Sequence, residues 1–241
     1  MKGLSLLALG TTCSISLSVV AAVQPGAAAI INGGFETGNF TGWTTIGDTS
    51  IETEAFGSGP TEGTFQALLM TSSIEDFGLE TFLGLEPGSL DSVGNGDATE
   101  GSAIKQTFTA NAGQVLTFDW NFFTDELTFD NNPFSFNDFA FVSLTSLNEL
   151  ADTSLIFMTS ATEFDDETGF KRFSFVIPET GTYTLGIGIT DVGNRVFESG
   201  LLIDNVAVTA VTPEPASTLG LFALGAFAAS STLFRKRQQK E

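Results

Sequence analysis

The chain has 241 residues and carries 29 acidic against nine basic ones, a formal charge of −20, with no histidine and one cysteine. Without histidine, Ser-His-Asp triads, Cys-His dyads and histidine-based zinc sites are impossible, and the acidic excess repels the phosphates of nucleic acid. At 42% hydrophobic and 16% charged residues, the composition supports a sizeable core and excludes global disorder, and the length suits one β-domain or two small ones.

Residues 1–29 read as a secretory signal. Met1-Lys2 is followed by an apolar run from Gly3 to Val23 and by Gln24-Pro25-Gly26-Ala27-Ala28-Ala29. A positive start, an apolar stretch and a small-residue site are the three parts such a signal needs, and cleavage is placed after Ala29. Cys13 lies inside the apolar run, preceded by Gly10-Thr11-Thr12 rather than by a lipobox. The exported chain therefore contains no cysteine and folds without disulfides in an oxidising compartment.

The ectodomain, residues 30–212, is read as a single domain. All the acidic residues except Glu214 and Glu241 fall between Ile30 and Pro213, with only Lys105, Lys171, Arg172 and Arg195 to balance them, so 27 acids against four bases leave −23. The segment opens on Asn32-Gly33-Gly34-Phe35-Glu36-Thr37-Gly38 and Phe40-Thr41-Gly42-Trp43. Strands are expected at Trp43–Ile46, Ile51–Glu54 and Phe65–Met70. Ser73 is placed as the cap of a helix from Ile74 to about Leu85, with acidic residues in its first turn. A Gly/Asp/Asn-rich loop follows, from Gly88 to Gly101.

Strand patterns dominate the remainder, at Ala103–Thr109, Val115–Phe122, Asp138–Thr145, Ser154–Met158, Arg172–Ile177, Tyr183–Thr190 and Leu201–Thr209. Leu116, Phe118, Trp120 and Phe122 share one face, and Tyr183, Leu185, Ile187 and Ile189 alternate with small or polar residues. Turn signals such as Asn111-Ala112-Gly113 and Pro178-Glu179-Thr180-Gly181 separate them. About ten alternating strands with no long helical period predict an all-β fold, an antiparallel two-sheet sandwich with one short helix.

The domain closes on Leu202-Ile203-Asp204-Asn205-Val206-Ala207-Val208. If Leu202, Val206 and Val208 face the core, Asp204 lies on that apolar face. A buried carboxylate needs a cation or several hydrogen-bond donors, because an unpaired buried charge is very costly. Calcium takes six to eight oxygens from carboxylates and carbonyls; the other reading has Asp204 accepting backbone N–H groups without metal.

The opening and closing motifs together resemble the first and last strands of galactose-binding-like jelly rolls, the fold of many carbohydrate-binding modules. That resemblance implies a structural calcium where N-G-x-F-E meets D-N-V, and the matching carboxylates are Glu36 and Asp204.

Other carboxylates were weighed for chemistry. Asp125/Glu126, Asp130/Asp138 and Asp165/Asp166/Glu167 offer pairs of the kind glycoside hydrolysis uses, but so many acids guarantee close pairs by chance, and solvated acidic loops are the better reading. Asp91, Asn95 and Asp97 sit among glycines without EF-hand spacing. The aromatic run around Phe118–Phe123 is a possible sugar platform, although Trp43 and Trp120 are expected in the core. With Glu100–Phe108 and Asn137–Val142, that run is similar to a pattern common in ectodomains of cyanobacterial PEP-CTERM proteins.

The C-terminal residues 213–241 carry Pro213-Glu214-Pro215, an uncharged stretch from Ala216 to Phe234, and Arg235-Lys236-Arg237. The 19-residue stretch would span roughly 28 Å as a helix at about 1.5 Å per residue, enough to cross a bilayer. The basic cluster behind it acts as a membrane stop signal and holds the C-terminus in the cytoplasm. This tripartite order resembles the PEP-CTERM sorting signal of Gram-negative bacteria. It implies an exosortase as partner and delivery to the cell envelope, cell surface or extracellular space, with a single-pass anchor before processing. The reading is a non-catalytic surface protein with a structural or adhesive role in the envelope or extracellular polysaccharide matrix. A carbohydrate-binding module recognising extracellular glycan is the alternative.

Overall fold

A computed structural model describes residues 30–72, 74–126, 136–155, 158–193 and 195–210. Signal residues 1–29, Ser73, Asp130 and the C-terminal segment from residue 211 onward lie outside them, as do the expected signal and transmembrane helices. Among the described residues no helix is long and apolar enough to cross a membrane.

The alternating segments pair into two antiparallel sheets. In chain order the strands are β1 (Thr44–Ile46), β2 (Thr49–Glu52), β3 (Gln66–Met70), β4 (Ile74–Glu75), β5 (Ala98–Ala110), β6 (Val115–Thr124) and β7 (Phe139–Ser143). They continue with β8 (Leu147–Asp152), β9 (Met158–Thr159), β10 (Asp166–Glu167), β11 (Lys171–Val176), β12 (Gly181–Val192) and β13 (Ser199–Thr209). One sheet runs β1-β5-β12-β7-β8, with β4 on β5; the other runs β2-β3-β13-β6-β10-β9, with β11 on β6. The antiparallel two-sheet sandwich read from the alternation is the fold, in keeping with the jelly roll that the end motifs imply.

The main core lies between the sheets. Leu116, Phe118, Trp120 and Phe122 of β6 meet Leu185, Ile187 and Ile189 of β12, with Leu201 and Ile203 of β13 beside them. Burying one such side chain contributes roughly 1.5–3 kcal/mol. Smaller clusters cover the outer faces: Leu68, Phe123, Phe164 and Leu202 on one sheet, and Leu79, Leu90, Phe139 and Phe141 on the other.

Several boundaries differ from expectation. The helix, α1, spans Asp76–Leu83 and starts on Glu75 without a side-chain cap, because Ile74 and Glu75 pair with Gly101 and Glu100 as strand. It ends at Gly84, whose left-handed backbone (φ 74°) lets its N–H reach the carbonyls of Glu80 and Thr81. The Gly88–Gly101 loop is shorter than expected, since β5 begins at Ala98. Of the strand expected at Ser154–Met158, Ser154 and Leu155 lie in a turn, residues 156–157 are outside the described residues and Met158 opens β9, while an unexpected polar edge strand forms at Leu147–Asp152, paired with β7.

Candidate functional site

Two groups of carboxylates are built into the sandwich. The first lies where the two ends of the domain meet. Residues 30–43 form turns rather than a strand, and Phe35 takes a left-handed conformation (φ 57°) that buries its ring against Trp43 at 5.6 Å between centroids. The backbone of Val206 donates to Gly33 O at 2.9 Å, so the opening turn is docked onto the closing strand.

Asp204 is fully buried, but on the face opposite the one expected. In β13, Leu201 and Ile203 point into the main core, whereas Leu202 packs on the outer face, and Asp204 is registered against Asp119 on that same side. The register then shifts between Asp204 and Ala207, with Asn205 at φ 53°. This bulge returns Val206 and Val208 to the inner face. An unbroken period of two across residues 202–208 therefore misplaces Asp204 by one face.

What covers Asp204 is the loop before β3. Its Oδ2 accepts from Thr61 Oγ1 (3.0 Å) and Glu62 N (2.9 Å), and Oδ1 accepts from Asn205 N (2.6 Å). Burial pushes its pKa up and these donors pull it back. Glu36 holds the other end of the same loop: its Oε1 accepts from Thr64 N (2.8 Å) and Phe65 N (3.0 Å). A Cβ on Gly63 would sit 2.3 Å from the Glu36 carboxylate, so a glycine is needed where the loop wraps it. The two carboxylates thus clamp residues 61–65 from both ends.

Asp119 lies beside them. Arg172 grips it with two hydrogen bonds, Nε to Oδ1 at 2.7 Å and a terminal nitrogen to Oδ2 at 2.9 Å, and these hold the Asp119 carboxyl below its ordinary range. Thr61 and Asn205 also donate to it.

Oxygens remain for a cation at this seam. Glu36 Oε2 has no hydrogen-bond partner among the described residues, and Asp204 Oδ1 accepts a single bond. Gly34 lies between them, its Cβ position 3.7 Å from both Asp204 Oδ1 and Glu36 Cγ. The donor set is all oxygen, which suits calcium.

The second group sits at the far end of β6. Glu126 follows that strand, Asp138 precedes β7, and Asp191 is the penultimate residue of β12. All three are buried, at 7%, 0% and 2% exposure, and each offers an oxygen within 4.8 Å of the others. Asp138 accepts from Val192 N (3.0 Å) and from Ser199 Oγ (2.7 Å). Asp191 Oδ1 has no hydrogen-bond partner among the described residues. The sequence pairs Glu126 with Asp125 and Asp138 with Asp130, and gives no sign of Asp191. That residue reads as the tail of an alternating strand, and only pairing brings it to the others.

Desolvation, and then the mutual repulsion of these carboxylates, pushes Asp191 up to about 8; desolvation pushes Asp138 up to about 6, with Glu126 adding to it. Glu100, which faces Asp191 from β5 and lies 3.5 Å from Arg195, adds to the repulsion on Asp191. Both folded values lie above the unfolded value of about 3.9, so between about pH 4 and pH 8 the native state binds more protons than the unfolded one. Stability must then fall as pH rises through that window. Thermal melts in EGTA are expected to give a higher Tm at pH 5 than at pH 8. Asp191→Asn should remove much of that difference, and an equal difference in the variant would mean that overall charge causes it.

The remaining candidates serve as loop fasteners. Asp91 accepts from Ala98 N at 2.9 Å, while Asn95 donates to Glu149 at 2.8 Å, so the Asp91/Asn95/Asp97 group does not converge. Asp125 accepts from Asp165 N at 2.8 Å, and Glu167 accepts from Asn121 at 3.1 Å. The tryptophans are internal, Trp43 at 7% and Trp120 at 5% exposure. Among the described residues, the exposed large aromatics are Phe77 and Phe197. Phe197 lines a groove with Met70, Asp125, Glu163, Phe164, Val196 and Glu198.

Comparison with known proteins identifies the C-terminus. Residues 211–238 match the PEP-CTERM protein-sorting motif, which marks a chain for export to the cell surface or extracellular space and implies processing by an exosortase. No curated protein matches the chain. Among solved structures, it is similar to TmCBM61 in complex with β-1,4-galactotriose, at 15% identity over 74% of this chain and 95% of that one, with a TM-score of 0.41. It is also similar to the CBM22-1 xylan-binding domain of Paenibacillus barcinonensis Xyn10C, at 10% identity over 79% and 99% of the two chains (TM-score 0.33). A third is the K3 cleaved adhesin domain of Lys-gingipain from Porphyromonas gingivalis, at 14% identity over 76% and 100% (TM-score 0.33).

Proposed function

We propose that the chain is a non-catalytic module with a structural or adhesive role in the cell envelope or extracellular polysaccharide matrix. On this reading Ala216–Phe234 anchors it in the membrane until an exosortase acts near Pro213-Glu214-Pro215. The observation that carries the proposal is how the chain distributes its rings and charges. Both tryptophans are buried, whereas of the described acids only Glu80, Asp119, Glu126, Asp138, Asp191 and Asp204 are, so a domain at −23 keeps most of its carboxylates at least partly exposed. Such a surface repels anionic polymer directly and joins it through divalent cations. Calcium held by Glu36 and Asp204 would be structural, fastening the opening turn and the 61–65 loop to the closing strand, with no catalytic role.

The Phe197 groove favours carbohydrate binding as a second reading. An exposed ring beside Asp125, Glu163 and Glu198 combines a stacking surface with hydrogen-bond acceptors. A glycan array probed with the purified protein, with and without calcium, separates the two. The structural reading expects no saturable binding to neutral oligosaccharides and calcium-dependent retention on acidic polysaccharide. Saturable binding that Phe197→Ala abolishes would replace it with the second reading.

A further inference from the structure

We propose that Glu126, Asp138 and Asp191 form a second, internal calcium site that ties the two sheets together at the β6 end of the sandwich. Glu126 follows a strand of one sheet, whereas Asp138 immediately precedes a strand of the other and Asp191 lies within one. A cation between them therefore bridges the layers. The site is distinct from Glu36 and Asp204: Asp204 is registered opposite Asp119, whereas Ser199, which bonds Asp138, is registered opposite Thr124. Five residues of β6 separate those levels, roughly 17 Å at about 3.3 Å per residue.

Two observations point to a ligand. The first is the spacing. Oxygens within 4.8 Å of one another fit inside a calcium coordination shell, whose ligands lie about 2.3–2.6 Å from the ion, and calcium accepts irregular geometry where magnesium demands a near-ideal octahedron. The three donors are hard carboxylate oxygens, with neither nitrogen nor sulfur to favour zinc.

The second is Asp191. It is 2% exposed, and its Oδ1 meets no donor among the described residues. Buried carboxylate oxygens are ordinarily satisfied, and an orphaned one costs its full desolvation. No ion pair among the described residues reaches Asp138 or Asp191. The surrounding protein supports Asp138, through Val192 N and Ser199 Oγ, while leaving Asp191 Oδ1 open. Oxygens held and oriented in this way are what a bound cation would require. The exported chain would meet calcium at the concentrations where extracellular modules bind it, about 10⁻⁴–10⁻³ M.

The test uses the full chain in detergent, stripped with EGTA and titrated with calcium chloride by calorimetry, with melts before and after addition. Wild-type protein is expected to bind calcium and to melt higher in its presence. Asp191→Asn and Glu126→Gln should each lose one equivalent of calcium, or weaken it at least tenfold. Their metal-free melts should stay cooperative, and at pH 8 and above that of Asp191→Asn should equal or exceed wild type, because the variant removes the like charge that buried Asp191 carries there. Asp204→Asn is expected to leave this equivalent intact, so failure of the Glu36/Asp204 site registers separately. Retention of wild-type stoichiometry and affinity by both Asp191→Asn and Glu126→Gln would overturn the proposal, as would a wild-type protein indifferent to calcium. An equal response to magnesium would overturn the choice of ion.

Discussion

Replacing Gly33 with alanine is expected to destabilise the protein by about 3 kcal/mol or more, at or beyond the upper end of overpacking costs. A Cβ there would lie 1.9 Å from the carbonyl oxygen of Val206 and 2.9 Å from its carbon, both backbone atoms of the closing strand. No rotamer change relieves such a contact. The opening turn would have to lift, breaking the bond from Val206 N to Gly33 O and exposing Phe35 and Trp43. The adjacent glycine supplies the control. At Gly34 the nearest atoms, Asp204 Oδ1 and Glu36 Cγ, are both at 3.7 Å, an ordinary contact. Gly34→Ala should therefore cost less than about 1 kcal/mol, within the range of mild substitutions. Chemical denaturation of the two variants checks the contrast, and equal losses would show that the turn is not docked through Gly33.

Removing the Asp204 side chain is expected to cost about 3 kcal/mol, since each hydrogen bond to a charged group contributes roughly 1.5–3 kcal/mol. Thr61 Oγ1 retains Asp119 as an acceptor, but the backbone N–H groups of Glu62 and Asn205 lose the carboxylate that accepts them. Relief of repulsion between Asp204 and the registered Asp119 offsets part of this, and Arg172 already neutralises Asp119, so that offset is small. Asp204→Asn keeps one acceptor oxygen and should lose less than Asp204→Ala in metal-free buffer. If calcium occupies the Glu36/Asp204 seam, both variants lose one calcium equivalent. Hydrogen exchange should show faster exchange at Glu62 in Asp204→Ala; unchanged protection there would show that Asp204 does not hold the loop.

The seam shows how much of the candidate site the sequence carries. Glu36 and Asp204 are recognisable because the motifs at the two ends are short and rich in glycine and asparagine, the residues that tolerate the left-handed backbone found at Asn32 and Asn205. Their shared task of clamping residues 61–65 is not recognisable, because that loop has no pattern of its own. Asp204's face was misjudged for a related reason. Alternation reports a side only while the period is unbroken, and a one-residue bulge inverts it.

The two-sheet β-architecture follows from local pattern, because alternating apolar residues can be buried on one face only if the strands pair and stack. The acidic surface, the absence of any histidine or disulfide chemistry, and the sorting motif are likewise legible in the sequence, since each depends on composition or on contiguous residues. Tertiary structure alone decided the carboxylate cluster of Glu126, Asp138 and Asp191. The three come from separate strand ends, and Asp191 joins them only because β12 pairs with both β5 and β7. It also decided that Leu147–Asp152, with little alternation of its own, becomes an edge strand on β7. In both cases the determining contacts come from the partner strand, and a local pattern holds no record of its partner.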